Sequence, residues 1–367
     1  MGRILSRRLA QVACARRQGN CTACATIAPV LRSRDGFVRP GGRAAVVAND
    51  AIGNFVVATP LLALLRGEWN PREVWYFGGT RTRELQAASP LIDRTGMHLG
   101  HAPREVAAEA ASNGPFDVVV NIENAAWAKS VAAMLCGPET VVFGPCLDAE
   151  GRGDLAFGED PASRLWLDPD WCAEDLAARH PMLRTAHISE ILCRACCLRG
   201  EVGPYRVPEE PPDIQVPEVL VATAASGEDK LWPGDRWRDL LERLRRDGRR
   251  IGLLGAPPQA QRRYWRGGDD EDCWVREGLV EDLRGRLSLP QVVGAARLAQ
   301  LVVSLDNGVL HLAAATPTPI LGIFRHGIHR LWAPRVSNLT VLTPGSGKSV
   351  ASITVDAVWE ALPIAGR

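Results

Sequence analysis

No stretch of this 367-residue chain approaches roughly 18 uncharged apolar residues in a row, so nothing in it reads as a membrane-spanning helix. Excess charge of either sign is missing too. The 43 Lys and Arg residues stand against 42 Asp and Glu, a formal net charge of +1, which removes any global electrostatic case for nucleic acid. Internal repeats and low-complexity tracts are absent. No strand–Gly-x-Gly-x-x-Gly–helix fingerprint occurs, so a dinucleotide-dependent epimerase with a similar two-domain layout lacks support. What remains, 46% apolar and 23% charged, is the composition of a soluble α/β enzyme able to bury one or two full cores.

The most informative stretch is Val302–Ala315, VVSLDNGVLHLAAA. Leu301–Val303 reads as a buried strand, Asp306-Asn307-Gly308 as a tight turn, and Val309–Ala315 as the first turns of a helix. A helix N-terminus in that setting offers amides and a positive dipole end to phosphate, with the amides around Asn307–Val309 as donors. His311, one turn in, is placed to reach the anion or its neighbouring sugar. An ordinary capped strand–turn–helix is the competing reading. A second segment, Thr223–Trp237, follows the apolar strand Val219–Ala222 and carries Ser226, Gly227 and Lys230 before a helix opening near Pro233. A Ser-Gly loop with one lysine as a point charge suits a diphosphate.

These segments carry a resemblance. KLWPGDRW (Lys230–Trp237) and DNGVLHLAAA (Asp306–Ala315) followed by Pro319 look like hallmarks of glycosyltransferase family 9, the ADP-heptose:lipopolysaccharide heptosyltransferases. So do Leu253–Gly255, Asp282–Gly285 with Ser288-Leu289, and AIGNFVVATP (Ala51–Pro60). The similarity covers residues 43–362, more closely in the C-terminal half. It implies two Rossmann-like domains facing across a cleft (the GT-B architecture) and an inverting transfer that needs no metal. It also implies a nucleotide-sugar donor, by resemblance ADP-heptose, and a lipopolysaccharide-core, lipid-linked or natural-product acceptor.

The chain's own pattern divides compatibly. Residues 1–42 form a basic leader, and Met1–Arg34 holds seven arginines and no Asp or Glu. Ile4, Leu5, Leu9, Val12 and Ala13 give it partly helical apolar spacing, suited to an anionic membrane surface. A disordered basic tail and an organellar transit peptide are the alternatives, whereas a secretory signal would need a compact apolar core and cleavage site. The expected location is cytoplasmic, with peripheral contact at the inner face of the plasma membrane. Residues 43–203 alternate strands (Ala44–Ala48, Glu73–Phe77, Asp117–Ile122, Thr140–Phe143) with helices (Pro60–Leu65, Asn124–Leu135), the pattern of a parallel sheet. Pro204–Pro217 has five prolines in fourteen residues and reads as an extended linker. A second α/β domain spans 218–345, and the closing segment 346–367 holds a helix (Thr354–Leu362) expected to cross back to the first domain.

Sugar transfer needs a base for the acceptor hydroxyl and fixed positive charge for the departing diphosphate. Lys230, Ser226 and the Asn307–Val309 amides could supply the charge, and no Asp-x-Asp metal motif appears in the donor loops. Asp306 would shape the turn and contact the donor sugar, with Asn307, Gly308, Val309 and His311 beside it. The family's proposed base is an aspartate after small-Gly, where this chain has Asn54 after Ile52-Gly53. An amide orients a hydroxyl but takes no proton near neutral pH. Asp50, in a loop spanning Asn49–Asn54, is one replacement and Glu123 another, and loss of catalysis with retained binding is the third outcome. Gly255 opens the family's nucleoside loop, but Pro257, Pro258 and Gln259 stand where a ribose-binding Glu often follows.

Ten cysteines include Cys21-x-x-Cys24 and Cys193-x-x-Cys196-Cys197. Two such pairs could build a zinc or iron–sulfur site. Their separation and the lack of flanking turn residues favour reduced, buried thiols instead, and no metal site is expected. Of eleven tryptophans, Trp232 and Trp237 are expected to brace the donor loop, and Trp127, Trp166, Trp171 and Trp332 to pack.

Overall fold

A computed structural model describes residues 31–32, 40–148, 151, 153–264 and 269–363. The leader's Cys21 and Cys24, and its proposed membrane-facing stripe, lie outside these residues. The chain divides into two compact units. The first comprises residues up to Asp170 together with Ala177–Thr185 and Ser189–Gly203, and the second Trp171–Leu176, Ala186–Ile188 and everything from Pro204 onward.

The first unit holds a six-stranded sheet, all parallel, in the order β1-β6-β5-β2-β3-β4. Its strands are β1 (Leu31–Arg32), β2 (Arg43–Val47), β3 (Glu73–Gly79), β4 (Arg94–Leu99), β5 (Val118–Asn121) and β6 (Val141–Phe143). Its principal helices are α1 (Ile52–Trp69), α2 (Pro103–Asn113) and α3 (Ala126–Leu135). Buried on both faces, β2 and β5 read as continuous apolar runs, with Ala45, Val47 and Val119 packed among Phe77, Phe116 and Leu135.

Helix α1 corrects the sequence reading, which opened the helix at Pro60 and left Asn49–Asn54 as loop. The helix begins at Ile52, so Asn54 sits in its first turn and Pro60 in its interior. Proline there removes the N–H that would bond the Val56 carbonyl. The Thr59 hydroxyl takes that acceptor at 2.7 Å, and the Ser189 hydroxyl bonds the next carbonyl, Val57, also at 2.7 Å. Two borrowed hydroxyls thus relieve the backbone of a helix that is otherwise almost wholly buried along Phe55–Leu62.

The second unit repeats the plan. Strands β7 (Val219–Ala222), β8 (Ile251–Leu253), β9 (Glu281–Asp282), β10 (Leu301–Leu305), β11 (Ile320–Ile323) and β12 (Leu339–Leu342) lie parallel in the order β12-β11-β10-β7-β8-β9. Helices α4 (Gly234–Arg246), α5 (Asp269–Arg276), α6 (Leu289–Leu298), α7 (Gly308–Ala313) and α8 (Val355–Ala361) connect and cover them. In α4 the buried Trp237, Leu240, Leu241 and Leu244 fall at i, i+3, i+4 and i+7 and face the sheet. Arg243, Arg245 and Arg246 in its last turn complement the helix dipole.

Helix α8 packs on the second unit: Val358 and Leu362 complete its core beside Leu240 and Leu244. The proline-rich segment is extended as read, yet it is strapped to the second unit and is no free linker. The Glu210 amide bonds the Pro290 carbonyl at 3.1 Å and Arg297 pairs with Glu209 at 2.5 Å. The Glu210 carbonyl lies so close to Gly294 of α6 that any Cβ there would collide with it. Elsewhere, Cys193 and Cys196 are buried, and burial pushes both thiols up, Cys193 to about 12.

Candidate functional site

In an open parallel sheet a ligand collects beyond the strand carboxyl ends, where strand order reverses. In the second unit that point lies between β7 and β10. Short polar contacts join the loops that leave these two strands. Lys230 Nζ lies 2.8 Å from Asp306 Oδ2, with Asp306 only 8% exposed. Asn307 Nδ2 donates to the carbonyls of Ala224 at 2.9 Å and Ala222 at 3.3 Å. Lys230 closes the short 3-10 turn Glu228–Lys230, and its neighbour Asp229 is held by Arg325 from the loop after β11. Ser226 and Gly227 lie in the same loop, with Ser226 exposed.

Asn307 is also the N-cap of α7. Its Oδ1 accepts from the Val309 amide at 2.9 Å and the Leu310 amide at 3.3 Å. The sequence reading offered the amides around Asn307–Val309 to phosphate; of these, the Val309 amide is engaged by the cap, and Lys230 beside them is paired with Asp306. His311 is 2% exposed, and its Nδ1 has no hydrogen-bond partner. Burial lowers its pKa to about 4; Lys230 adds to the shift and Asp306 opposes it. The ring is therefore neutral near pH 7, a hydrogen-bonding group rather than a cation. Gly255, two residues past β8, lies against Arg284 and Gln261. Trp232 and Trp237 brace as expected: their rings meet edge to face at 5.0 Å, and Trp232 Nε1 bonds the Ile353 carbonyl at 2.8 Å.

The first unit has its own reversal point, between β2 and β5. Asn49 Nδ2 donates to Glu123 Oε2 at 2.7 Å and ties the two loops together. Asp50 pairs with Arg81 at 2.7 Å and stands against Gly79, where a side chain would strike it. Asp50 and Glu123 thus share one sheet edge, and Asn54 lies just inside α1. The open groove of about 660 Å³ lined by Arg43, Arg72, Glu73, Asp93 and Arg94 lies elsewhere, at the amino ends of β2–β4.

The description "Glycosyltransferase family 9 (heptosyltransferase)" belongs to the family model that matches residues 205–351, a span that includes Lys230, Asp306 and His311. That segment, about two fifths of the chain, resembles glycosyltransferase family 9. Lipopolysaccharide heptosyltransferase 1 of Salmonella typhimurium is 31% identical to this chain over 112 residues, 30% of the chain and 33% of the relative. Lipopolysaccharide heptosyltransferase 3 of Escherichia coli is 24% identical over 127 residues, 33% of the chain and 35% of the relative. These matches span about a third of each curated relative. In three dimensions the likeness runs much further. The family 9 glycosyl transferase of Veillonella parvula superposes with a TM-score of 0.64 at 14% identity, covering 89% of this chain and 97% of that one. An Escherichia coli heptosyltransferase solved with ADP gives 0.59 at 18% identity, covering 87% and 98%. The fold is the GT-B type, two parallel-sheet α/β domains.

Outside the predicted set, the structure adds Asn49, Arg81 and Arg325 as loop-holding groups, and a buried polar network around Glu271. Asn49 adjoins the predicted Asp50, but the arginines carry no motif signal. The acidic run Asp269–Asp272 contains an Asp-x-Asp triplet, yet Asp272 and Glu271 are bonded to Arg284 and Thr223.

Proposed function

We propose that this protein is an inverting glycosyltransferase that moves a sugar, heptose as the leading candidate, from a nucleoside diphosphate donor to a hydroxyl of a lipopolysaccharide-core or other glycan acceptor. The observation that carries this reading is the Lys230–Asp306–Asn307 junction at the second unit's reversal point, inside the segment that matches the family. Lys230 supplies positive charge where a diphosphate would leave, so the reading needs no metal. Neutral His311 offers a hydrogen bond beside it. As the acceptor oxygen attacks the anomeric carbon, the bond to the diphosphate breaks and the acceptor proton passes to a carboxylate, for which Asp50 is the leading candidate. ADP as the nucleotide is supported by the ADP named for one heptosyltransferase of like fold. Peripheral attachment to an anionic inner-leaflet surface through residues 1–34, in the cytoplasm, is part of the same proposal and rests on their arginines.

Calorimetry of the purified protein with ADP, UDP, GDP and CDP, without added metal, tests the donor half. Selective ADP binding, lost in Lys230→Ala, is the expected result. Preference for another nucleotide would overturn the donor, and no binding would overturn the function. A second reading, a binding protein without turnover, is favoured by Asn54 in the first turn of α1. Turnover gained from zero by Asn54→Asp would decide for it.

A further inference from the structure

The first turn of α5 is acidic throughout, Asp269-Asp270-Glu271-Asp272. In the fold Glu271 is 2% exposed. Its carboxylate accepts from the Thr223 hydroxyl, immediately after β7, and from Gln261 Nε2, in the helix Pro258–Tyr264 that follows β8. Arg284 Nη1, just after β9, lies 3.5 Å away. Arg284 is itself held by Asp282 at 2.8 Å and by Asp272 at 2.9 Å. Thr223, Gln261 and Arg284 are all buried. Next along the turn, Asp270 lies against Gly234, the first residue of α4, closely enough to exclude a Cβ there. One helical turn therefore fastens the loops leaving β7, β8 and β9, together with the start of α4.

The β7 loop is the one that carries Ser226, Gly227 and Lys230. Its far end is anchored by Lys230 to Asp306 and by Asp229 to Arg325. Its near end is anchored at Thr223, by Glu271. We propose that Glu271 is a positioning residue for the nucleoside diphosphate site: through Thr223 it fixes the loop 223–230 and hence the place where Lys230 meets the ligand. Glu271 touches neither the ligand nor the reacting atoms. The inference rests on the donor reading above and adds to it a residue outside the family's motifs. A buried carboxylate serving three donors suits the task, because losing one partner leaves the others uncompensated. The groups facing it are Thr223, Gln261, Arg284 and Asp272, with Asp282 acting through Arg284. Burial is the main cause raising its pKa and Asp272 adds to it, while Thr223, Gln261 and Arg284 pull it down.

The test uses the full chain with Thr223→Val, Thr223→Ser and Glu271→Gln. Thr223→Val keeps the side-chain shape and removes only the hydroxyl, so it serves even where Glu271→Gln fails to fold. Hydrogen exchange at the amides of residues 223–231 is read without ligand, and ADP binding is read by calorimetry beside the melting temperature. We expect Thr223→Val to speed exchange in this loop and weaken ADP by about tenfold each, the worth of one hydrogen bond. Thr223→Ser restores both. Unchanged loop exchange in Thr223→Val, or faster exchange with unaltered ADP affinity, overturns the proposal. A wild type that binds none of the four nucleotides overturns the donor reading instead, and loop exchange then still decides whether Glu271 anchors the loop.

Discussion

His311 yields a pH-dependent signature that can be worked through in advance. Its pKa falls from an ordinary 6.5 to about 4 in the folded chain, chiefly through burial. The folded state thus holds fewer protons on this ring than the unfolded state between those values. The stabilisation is complete above pH 6.5 and is lost as pH falls toward 4. One pKa unit corresponds to about 1.4 kcal/mol, so the ring accounts for about 2 kcal/mol between pH 6.5 and 5. Carboxylates titrate in acid as well, so the quantity to follow is the difference between wild type and His311→Gln. Urea denaturation of both proteins at pH 7.5, 6 and 5 gives it, with the second unit followed through Trp237. The wild-type advantage should shrink by about 2 kcal/mol across that range. A difference constant with pH would mean that His311 titrates in the fold as it does in the unfolded chain, and its assignment as a neutral, buried donor-site group would fail. His187, lowered to about 3 by burial with His311 and Arg335 adding to the shift, keeps part of the acid sensitivity in both proteins.

Other consequences are as specific. Gly294→Ala gains about 1 kcal/mol of helix propensity, but the new methyl meets the Glu210 carbonyl; overpacking costs about 1–3 kcal/mol, so denaturant unfolding should show net destabilisation. A stabilised variant would mean that the strap does not rest on α6. At pH 8, Cys193 in the folded chain should resist alkylation about a thousandfold more than an ordinary thiol, and Cys196, also pushed up by burial, should resist it too, while half-buried Cys273 reacts, as peptide mass mapping will reveal. Should Asp50 be the base, Asp50→Asn should lower kcat by about 10²-fold or more with donor affinity retained; unchanged kcat would transfer the role to Glu123.

Much of the sheet framework was legible because strands such as β2, β5, β7 and β10 are buried on both faces, leaving apolar runs bounded by turns. Strand β4 was not, since only His98 of its six residues is buried at this sheet edge and no alternation survives. The start of α1 was hidden because proline usually opens a helix; the hydroxyls of Thr59 and Ser189 that make Pro60 tolerable come from its chain neighbour and from 129 residues beyond it. Lys230, Asp306 and Asn307 were found as neighbours because short motifs carry them, and their pairing followed the strand order. Glu271 was missed for a physical reason: an acidic turn looks solvated until its partners arrive from three separate loops.

Asn307 precedes Gly308, the neighbour beside which an asparagine side chain most readily closes on the following backbone nitrogen and ages to aspartate. Here both ends of the amide are engaged: the oxygen caps α7 and the nitrogen bridges to Ala222 and Ala224. Aspartate could keep the cap but would set a carboxylate against two carbonyls and unfasten the β7 and β10 loops from each other. The side chain must leave those partners before it can cyclise. Its chemical lifetime is thus tied to how often this junction opens, and slow deamidation at Asn307 becomes a clock for that opening.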